Sequence, residues 1–420
     1  MKIITREKPT LYKDSSLTSF LGITPSDTKG WEKSQSNLHN RKFLRNELSE
    51  ILHSYNQSIG NDSIALKKIK EFQHQDSICV FTGQQLGFMG GPTYTILKAI
   101  TCLALAKEHR AIPIFWLATE DHDVDEIDHT FLIDVLGNLK KYHLSIPKDG
   151  RFVEDIELNQ QQIQVVESFL EAVDQKALFS ELSSETSYAK MMAKVLIKLF
   201  RGTGMVFMEP RLIRSLAIPF FCKEIEYSDE INDILKDTSK RFVEAGGKLQ
   251  LEIAEGTNLF MKTKGMQRNK IKKLGKKFYV GTQEYTREQL LEAVKKSPEI
   301  ISTNAAARPI LQSILFPTAA YVAGPGELAY YHQLKDYHEF HEISMPWIVP
   351  RMSATFITPE ANGMLEKCNL KPWEKIPKHW LEVMPNLEDG IEEVAADWQK
   401  SGVKHLSPEI SQQAIFRFIR

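Results

Sequence analysis

The chain has 420 residues, 42% hydrophobic and 25% charged, with a formal net charge of −1. Such a balance belongs to a globular protein with a sizeable core and gives no global pull toward nucleic acid or an anionic membrane. Cys79, Cys102, Cys222 and Cys368 show no CxxC spacing, which argues against a zinc site or disulfide framework, and the lack of a signal-like or ~20-residue apolar segment points to cytoplasmic residence.

Residues 33–55 place Leu38, Phe43, Leu44, Leu48, Ile51 and Leu52 at helical spacing, and 63–72 predicts a second helix. Residues 78–81 are short and apolar and run into Thr82 and Gly83, as expected of a buried strand ending at a ligand-facing loop. Pro92 suits the first turn of a helix whose inner face is read as Ile96, Ala99, Ile100, Leu103 and Ala106. With a second strand over 112–118 this is a βαβ unit, and ligands collect beyond the carboxyl ends of such strands.

A hairpin is expected from 131–135 and 140–146, turned by Gly137 and Asn138. Helices over 159–174 and 184–201 then lead to a short buried strand at 205–208. Across 240–300, Gly246, Gly247, Gly256, Gly265, Gly275 and Gly281 separate short segments, which reads as a small antiparallel insert. Lys262, Lys264, Arg268, Lys270, Lys272, Lys273, Lys276 and Lys277 follow one another there with no acid between them. Without interleaved stacking aromatics they are read as solvated hairpin tips, not a nucleic-acid site. From 307 onward a helix, a strand ending at Ala323, a GPGE turn, a helix and a strand ending at Pro350 repeat the opening grammar, so two separated stretches feed one α/β core.

Gly83, Gly87, Gly90 and Gly91 let backbone approach a ligand, and the helix start that follows favours an anion, with Lys98 as an added charge. The spacing is neither a P-loop nor GxGxxG, and the same glycines suit a plain tight turn. Gln84 and Gln85 can donate to and accept from a polar substrate. The run Glu120, Asp121, His122, Asp123, Asp125, Glu126, Asp128 and His129 is too dense to be buried without partners. It can supply a general base for a substrate amine, hold a divalent metal, or be a solvated acidic loop. Gly324, Pro325, Gly326 and Glu327 form a second strand-end turn, followed by Tyr330 and Tyr331 as ligand contacts or packing residues. Arg308 and Arg351 are natural forks for a carboxylate or counter-charges for the acidic run, whereas His338 and His341 read as surface histidines.

At TGQQLGFMGGPTYTILKAI, FWLATEDHDVDEIDH and ARPILQSILFPTAAYVAGPGELAYYHQL followed by MPWIVPRMSATFI, the chain resembles the BshC family of bacillithiol synthesis, in the same order over residues 1–370. The resemblance implies an α/β fold with a Rossmann-like parallel-sheet core carrying helices on both faces. Its first part is placed at 1–240, the small β-rich basic insert at 241–300 and its second part at 301–370. The resemblance also implies a cysteine ligase that joins the cysteine carboxyl to the amine of glucosaminyl-malate, giving the low-molecular-weight thiol bacillithiol.

On that reading Glu120, Asp121, His122 and Asp123 form the catalytic group. The malate carboxylates suit Arg308, Arg351, Lys98 and the backbone at Gly324, Gly326 and Glu327. The sugar hydroxyls suit Gln84, Gln85 and Tyr331, and Gly83, Tyr94 and Ser353 in the same motifs complete the binding set. ATP with Mg²⁺ is the economical activator; no metal site or tightly bound organic cofactor is assigned, and the partners are small molecules, without nucleic acid or membrane. Family members dimerise through a coiled coil, but 371–420 contains Pro372, Pro377, Pro385, Gly390, Gly402 and Pro408 and no heptad run. It reads as a reduced helical remnant of a chain shortened at its C-terminus, leaving the dimer open. A metal-dependent amide hydrolase or deacetylase built on the acidic run, and a non-catalytic binding homologue, are the alternatives.

Overall fold

A run such as IPIFWL offers no polar face to solvent, so it is stable as a strand only when covered on both sides. The computed structural model describes residues 2–6, 15–133, 139–253 and 255–357, with 362, 363 and 366. In it, five such strands build the central sheet: β1 (Cys79–Gln84), β2 (Ile112–Leu117), β3 (Val206–Met208), β4 (Thr318–Ala323) and β5 (Trp347–Pro350). All are parallel, in the order β5-β4-β1-β2-β3. The chain moves outward from β1 through β2 to β3, then returns to the other side of β1 for β4 and β5. The loops leaving β1 and β4 therefore diverge, and a crevice opens at this switch point.

Side chains alternate across each strand, and each face has its own core. Val80, Phe115, Leu117 and Val322 pack with the helices Thr93–Glu108 and Tyr188–Phe200. Phe81, Ile114, Trp116 and Tyr321 pack with Arg45–Ser58, Ser63–Phe72 and Ala307–Leu315. At the edge strand β3, the Asn56 side chain accepts from Phe207 N at 3.0 Å and donates to Phe207 O at 2.9 Å. An amide thus continues the ladder where no further strand is paired among the described residues.

The insert is an antiparallel sheet of Leu259–Lys262, Arg268–Leu274, Lys277–Val280 and Gln283–Tyr285, closed by Ile301–Thr303 beside the first of these. It also contains a helix, Arg287–Lys296, capped by Thr286 and burying Leu290 and Val294, which the glycine count did not suggest. The hairpin after the acidic run is His129–Ile133 with Leu139–His143; its turn at 134–138 lies outside the described residues.

Several expectations are corrected. The single helix over 33–55 is two, Gly30–Ser36 and Arg45–Ser58, because Phe43 lies under the guanidinium groups of Arg41 and Arg45 instead of entering a core, and 37–44 turns between them. Ile100 is 43% exposed; the buried stripe of its helix runs through Thr95, Lys98, Ala99, Cys102 and Ala106. The first strand continues to Gln84, so Gly83 belongs to the sheet. His338 and His341 are buried, not superficial: His338 Nδ1 donates to Leu334 O at 2.8 Å, and His341 Nε2 meets Glu224 at 3.1 Å. Cys79 and Cys102 are buried free thiols and Cys222 is half-buried, while Cys368 and the proposed remnant at 371–420 lie outside the described residues. Among the described residues no helix is long and apolar enough to cross a membrane.

Candidate active site

The loops beyond β1, β2, β4 and β5 enclose a cleft of about 690 Å³ at the switch point. Its floor depends on one glycine. A Cβ on Gly83 would stand 2.9 Å from Trp116 O and 3.0 Å from Trp116 Cβ, so β1 and β2 can close up only with hydrogen at that position. Gln84 and Gln85 follow at the cleft wall. The next glycines serve a turn instead of lining the cleft: a Cβ on Gly87 would meet Gly91 Cα at 2.5 Å, and Gly91 has φ +69°.

Lys98 rises from the Thr93–Glu108 helix beneath this floor and is only 3% exposed. Its ammonium donates to Gly83 O and Gln84 Oε1, each at 2.8 Å, and pairs with Glu327. The Glu327 carboxylate also accepts from Tyr321 OH at 2.6 Å and from Gly324 N at 2.8 Å, where Gly324 precedes the Pro325–Tyr331 helix. Burial lowers the Lys98 pKa against the opposing pull of Glu327. For Glu327 burial acts upward, but Lys98 and Arg308 outweigh it and hold the carboxyl below its ordinary value. Lys98 and Glu327 are therefore a strut joining the ends of β1 and β4, with few contacts left for a ligand.

Arg308 stacks over the Tyr321 ring at 4.9 Å and donates to Gln312 Oε1 at 3.1 Å and Tyr330 OH at 3.2 Å. Among the described residues it has no carboxylate at ion-pair distance, although it lines the cleft. Arg351 lies 5.8 Å from the Tyr94 ring, and Tyr94, pushed up to about 12 by burial and then by Glu126, stays a neutral hydroxyl.

The acidic run disperses to separate partners. Glu120 is buried and accepts from Thr303 N at 3.2 Å and Thr303 Oγ1 at 2.6 Å, tying β2 to the insert. Asp121 accepts from Gln85 Nε2 at 2.6 Å, His122 N at 2.8 Å and Arg268 Nη1 at 3.3 Å. Burial would raise its pKa, yet His122, Arg268 and Gln85 together hold it well below the usual carboxylate range. Asp123 caps the short turn Val124–Glu126, and Asp128 bridges His129 at 3.0 Å and His143 at 2.6 Å. A metal needs three such groups at one point, and among the described residues no such group exists. Glu126, at the exposed mouth of the cleft, moves the other way: partial burial, then Asp123 and Asp121, raise its pKa.

Of the residues chosen from sequence, Gly83, Gln84, Gln85, Tyr94, Lys98, Glu120 and Asp121 line the cleft, as do Arg308, Gly324, Gly326, Glu327 and Arg351. Four stand outside its lining. His122 lies behind Asp121 with Nδ1 accepting from Arg268 at 3.0 Å, and Asp123 faces its own turn. Tyr331 is fully buried behind Tyr330, which lines the cleft in its place, and Ser353 pairs with Arg6 in the short sheet of Lys2–Arg6 with Ser353–Ile357. Sequence reasoning did not select Arg268, Phe260 or Asn304. Arg268 is anchored by Thr303 O at 2.7 Å and Ser302 Oγ at 3.2 Å, with its guanidinium 3.9 Å over Phe260. Only strand alternation could have separated it from its basic neighbours. Asn304 had a local signal, an Asn before a helix, and its Oδ1 accepts from Ala306 N and Ala307 N.

Residues 8–352 match the family described as bacillithiol biosynthesis BshC, N-terminal Rossmann-like domain. Proteins named "Putative cysteine ligase BshC" are similar over most of the chain. The one from Bacillus cytotoxicus is 29% identical over 408 residues, covering 89% of this chain and 74% of its own. Those from Oceanobacillus iheyensis and Bacillus cereus are each 30% identical, over 86% and 85% of this chain and 72% and 71% of theirs. A parallel sheet in Rossmann order, a cleft at its switch point and a match across most of the described residues lead to one assignment: the chain belongs to the BshC family of bacillithiol biosynthesis.

Proposed function

We propose that the chain is a ligase that joins the carboxyl of cysteine to the amine of glucosaminyl-malate in the cleft at the switch point. The observation that carries this reading is that one cleft brings together Arg308, which lacks a carboxylate partner among the described residues, and Glu126, whose pKa is raised. The relatives' name, cysteine ligase, supplies the reaction class.

Arg308, with Arg351 nearby in the lining, binds the malate carboxylates through paired N–H donors. The amine nitrogen attacks the activated cysteine carboxyl carbon; the C–N bond forms, the leaving group departs with its C–O electron pair, and the amine proton passes to a carboxylate. Glu126 suits that last task, because its raised pKa makes it a stronger base than an ordinary glutamate. Asp121, held as an anion by Arg268, is a weak base and fits the role of orienting Gln85. A free carboxylate does not form an amide in water unaided, and adenylation by ATP with Mg²⁺ is the activation we propose.

The test is incubation of the purified protein with cysteine and glucosaminyl-malate, with and without ATP and Mg²⁺, following the coupled thiol by mass. Product that needs ATP and releases AMP supports the whole reading. Product without ATP overturns the adenylation step, and no product in either arm, with substrate binding retained, supports the non-catalytic homologue instead.

A further inference from the structure

Gln84 and Gln85 stand side by side at the end of β1 and both line the cleft. A carboxamide has one accepting and one donating end, and nothing in the side chain itself decides which end faces a ligand. Here the partners behind each residue decide. The Lys98 ammonium only donates and lies 2.8 Å from the Gln84 side chain, so the end turned toward it must be Oε1. Gly83 O and Glu327 pin that ammonium in place. The Asp121 carboxylate only accepts and lies 2.6 Å from the Gln85 side chain, so the end turned toward it must be Nε2. Arg268 and His122 N hold Asp121 in place. The opposite ends, Gln84 Nε2 and Gln85 Oε1, have no protein partner among the described residues.

We infer that Gln84 and Gln85 are a specificity pair of fixed and opposite polarity, Gln84 a donor and Gln85 an acceptor. The matching ligand carries an oxygen acceptor, carbonyl or carboxylate, beside a hydrogen-bearing amine or hydroxyl. This deepens the ligase reading and rests on it for the identity of those groups: the activated carboxyl oxygen receives the Gln84 N–H, and the incoming amine gives its N–H to Gln85. Lys98 and Asp121 are then positioning residues that act on the substrate through the two amides.

Two substitutions reverse the outward polarity while keeping the inward contact. Gln84→Glu retains an oxygen for Lys98 but has no N–H, and Gln85→Lys retains a donor for Asp121 but has no acceptor. Each is measured for coupled-thiol kcat/KM, for glucosaminyl-malate affinity by calorimetry, and for melting temperature. The expected result is at least a tenfold loss of kcat/KM or of affinity in each, with the melting temperature kept near that of the wild type; Gln84→Leu gives a similar loss. Either variant within twofold of the wild type in both measurements overturns the pairing. If the wild type binds glucosaminyl-malate but makes no coupled thiol, the ligase reading and its assignment of the two groups fall, and a tenfold loss of affinity in both variants still upholds the polarity, with the acceptor and donor then both on glucosaminyl-malate. If the wild type neither binds nor turns over, both fall.

Discussion

Lys98→Met tests whether Lys98 and Glu327 are structural partners. It removes the ammonium from a site that is 3% exposed and leaves Glu327, whose side chain is 19% exposed, with the hydrogen bonds from Tyr321 OH and Gly324 N and the more distant charge of Arg308. Breaking a buried ion pair from one side costs about 3–5 kcal/mol. The residual hydration of Glu327 and its two surviving hydrogen bonds favour the low end, about 3 kcal/mol. Glu327→Gln alone should cost less, about 2 kcal/mol, because a buried lysine can relieve itself by shedding its proton. The double variant should be less destabilised than the sum of the two, by about 1–2 kcal/mol, as expected of residues in contact. Urea unfolding at pH 7 measures all four proteins. The folded pKa of Glu327 lies below its unfolded value, so its contribution is complete above the ordinary glutamate value of about 4.3 and is lost as pH falls below it. The gap between wild type and Lys98→Met should narrow in that direction. A Lys98→Met variant within 1 kcal/mol of the wild type, or strict additivity in the double variant, would refute the strut.

Glu126→Gln should lower coupled-thiol turnover at least tenfold, about 1.4 kcal/mol of barrier, and change stability by less than about 0.5 kcal/mol because the side chain is exposed. In the wild type the acidic limb of kcat/KM should lie above the ordinary glutamate value, since the Glu126 pKa is raised, and that limb should vanish in the variant. Asp121→Asn leaves Arg268 without its carboxylate and frees Gln85 to turn; turnover at least tenfold lower, with a stability loss of about 3 kcal/mol by urea unfolding, is expected. Gly83→Ala forces a methyl against Trp116 O and should cost about 1–3 kcal/mol, read as a lower urea midpoint.

What the sequence revealed follows from how far each signal reaches. The βαβ unit was legible because strands buried on both faces must be continuous apolar runs, and VFT or IPIFWL has few other uses. The extension of β1 through Gly83 and Gln84 was not, since a glycine and an amide in a strand declare themselves only once Trp116 on the neighbouring strand is known. The polarity of the two glutamines was hidden likewise, because Lys98 lies fourteen residues on and Asp121 thirty-six residues on from their partners. His338 misled for a local reason: its Nδ1 is satisfied by the carbonyl four residues earlier and burial, lowering its pKa to about 4, keeps the ring neutral, so polarity alone predicts the wrong surface. Arg268 was lost among eight basic residues, because its inward direction is set by Thr303 and Asp121, on other elements.

The charges of the cleft divide by what already holds them. Lys98 is committed to Glu327, and Arg268 to Asp121, so neither cation has its charge to spare for a substrate, and both anions are held ionised where they are poor bases. Such pairs fix geometry: one joins β1 to β4 across the switch point, the other joins β2 to the insert. Arg308 differs, being supported by neutral groups, the Gln312 amide, the Tyr321 ring and the Tyr330 hydroxyl, that position a guanidinium without neutralising it. A cation held this way attracts an anion more strongly than one already paired, because no internal salt bridge must break first. Arg308→Met should therefore weaken glucosaminyl-malate binding at least tenfold, about 1.4 kcal/mol, while Arg308→Lys recovers only part of it, since a lysine lacks the two-pronged fork. Calorimetric titration decides it. Equal affinity in the wild type and Arg308→Met would move the malate carboxylates to another wall of the cleft, with Arg351 the next cation to substitute.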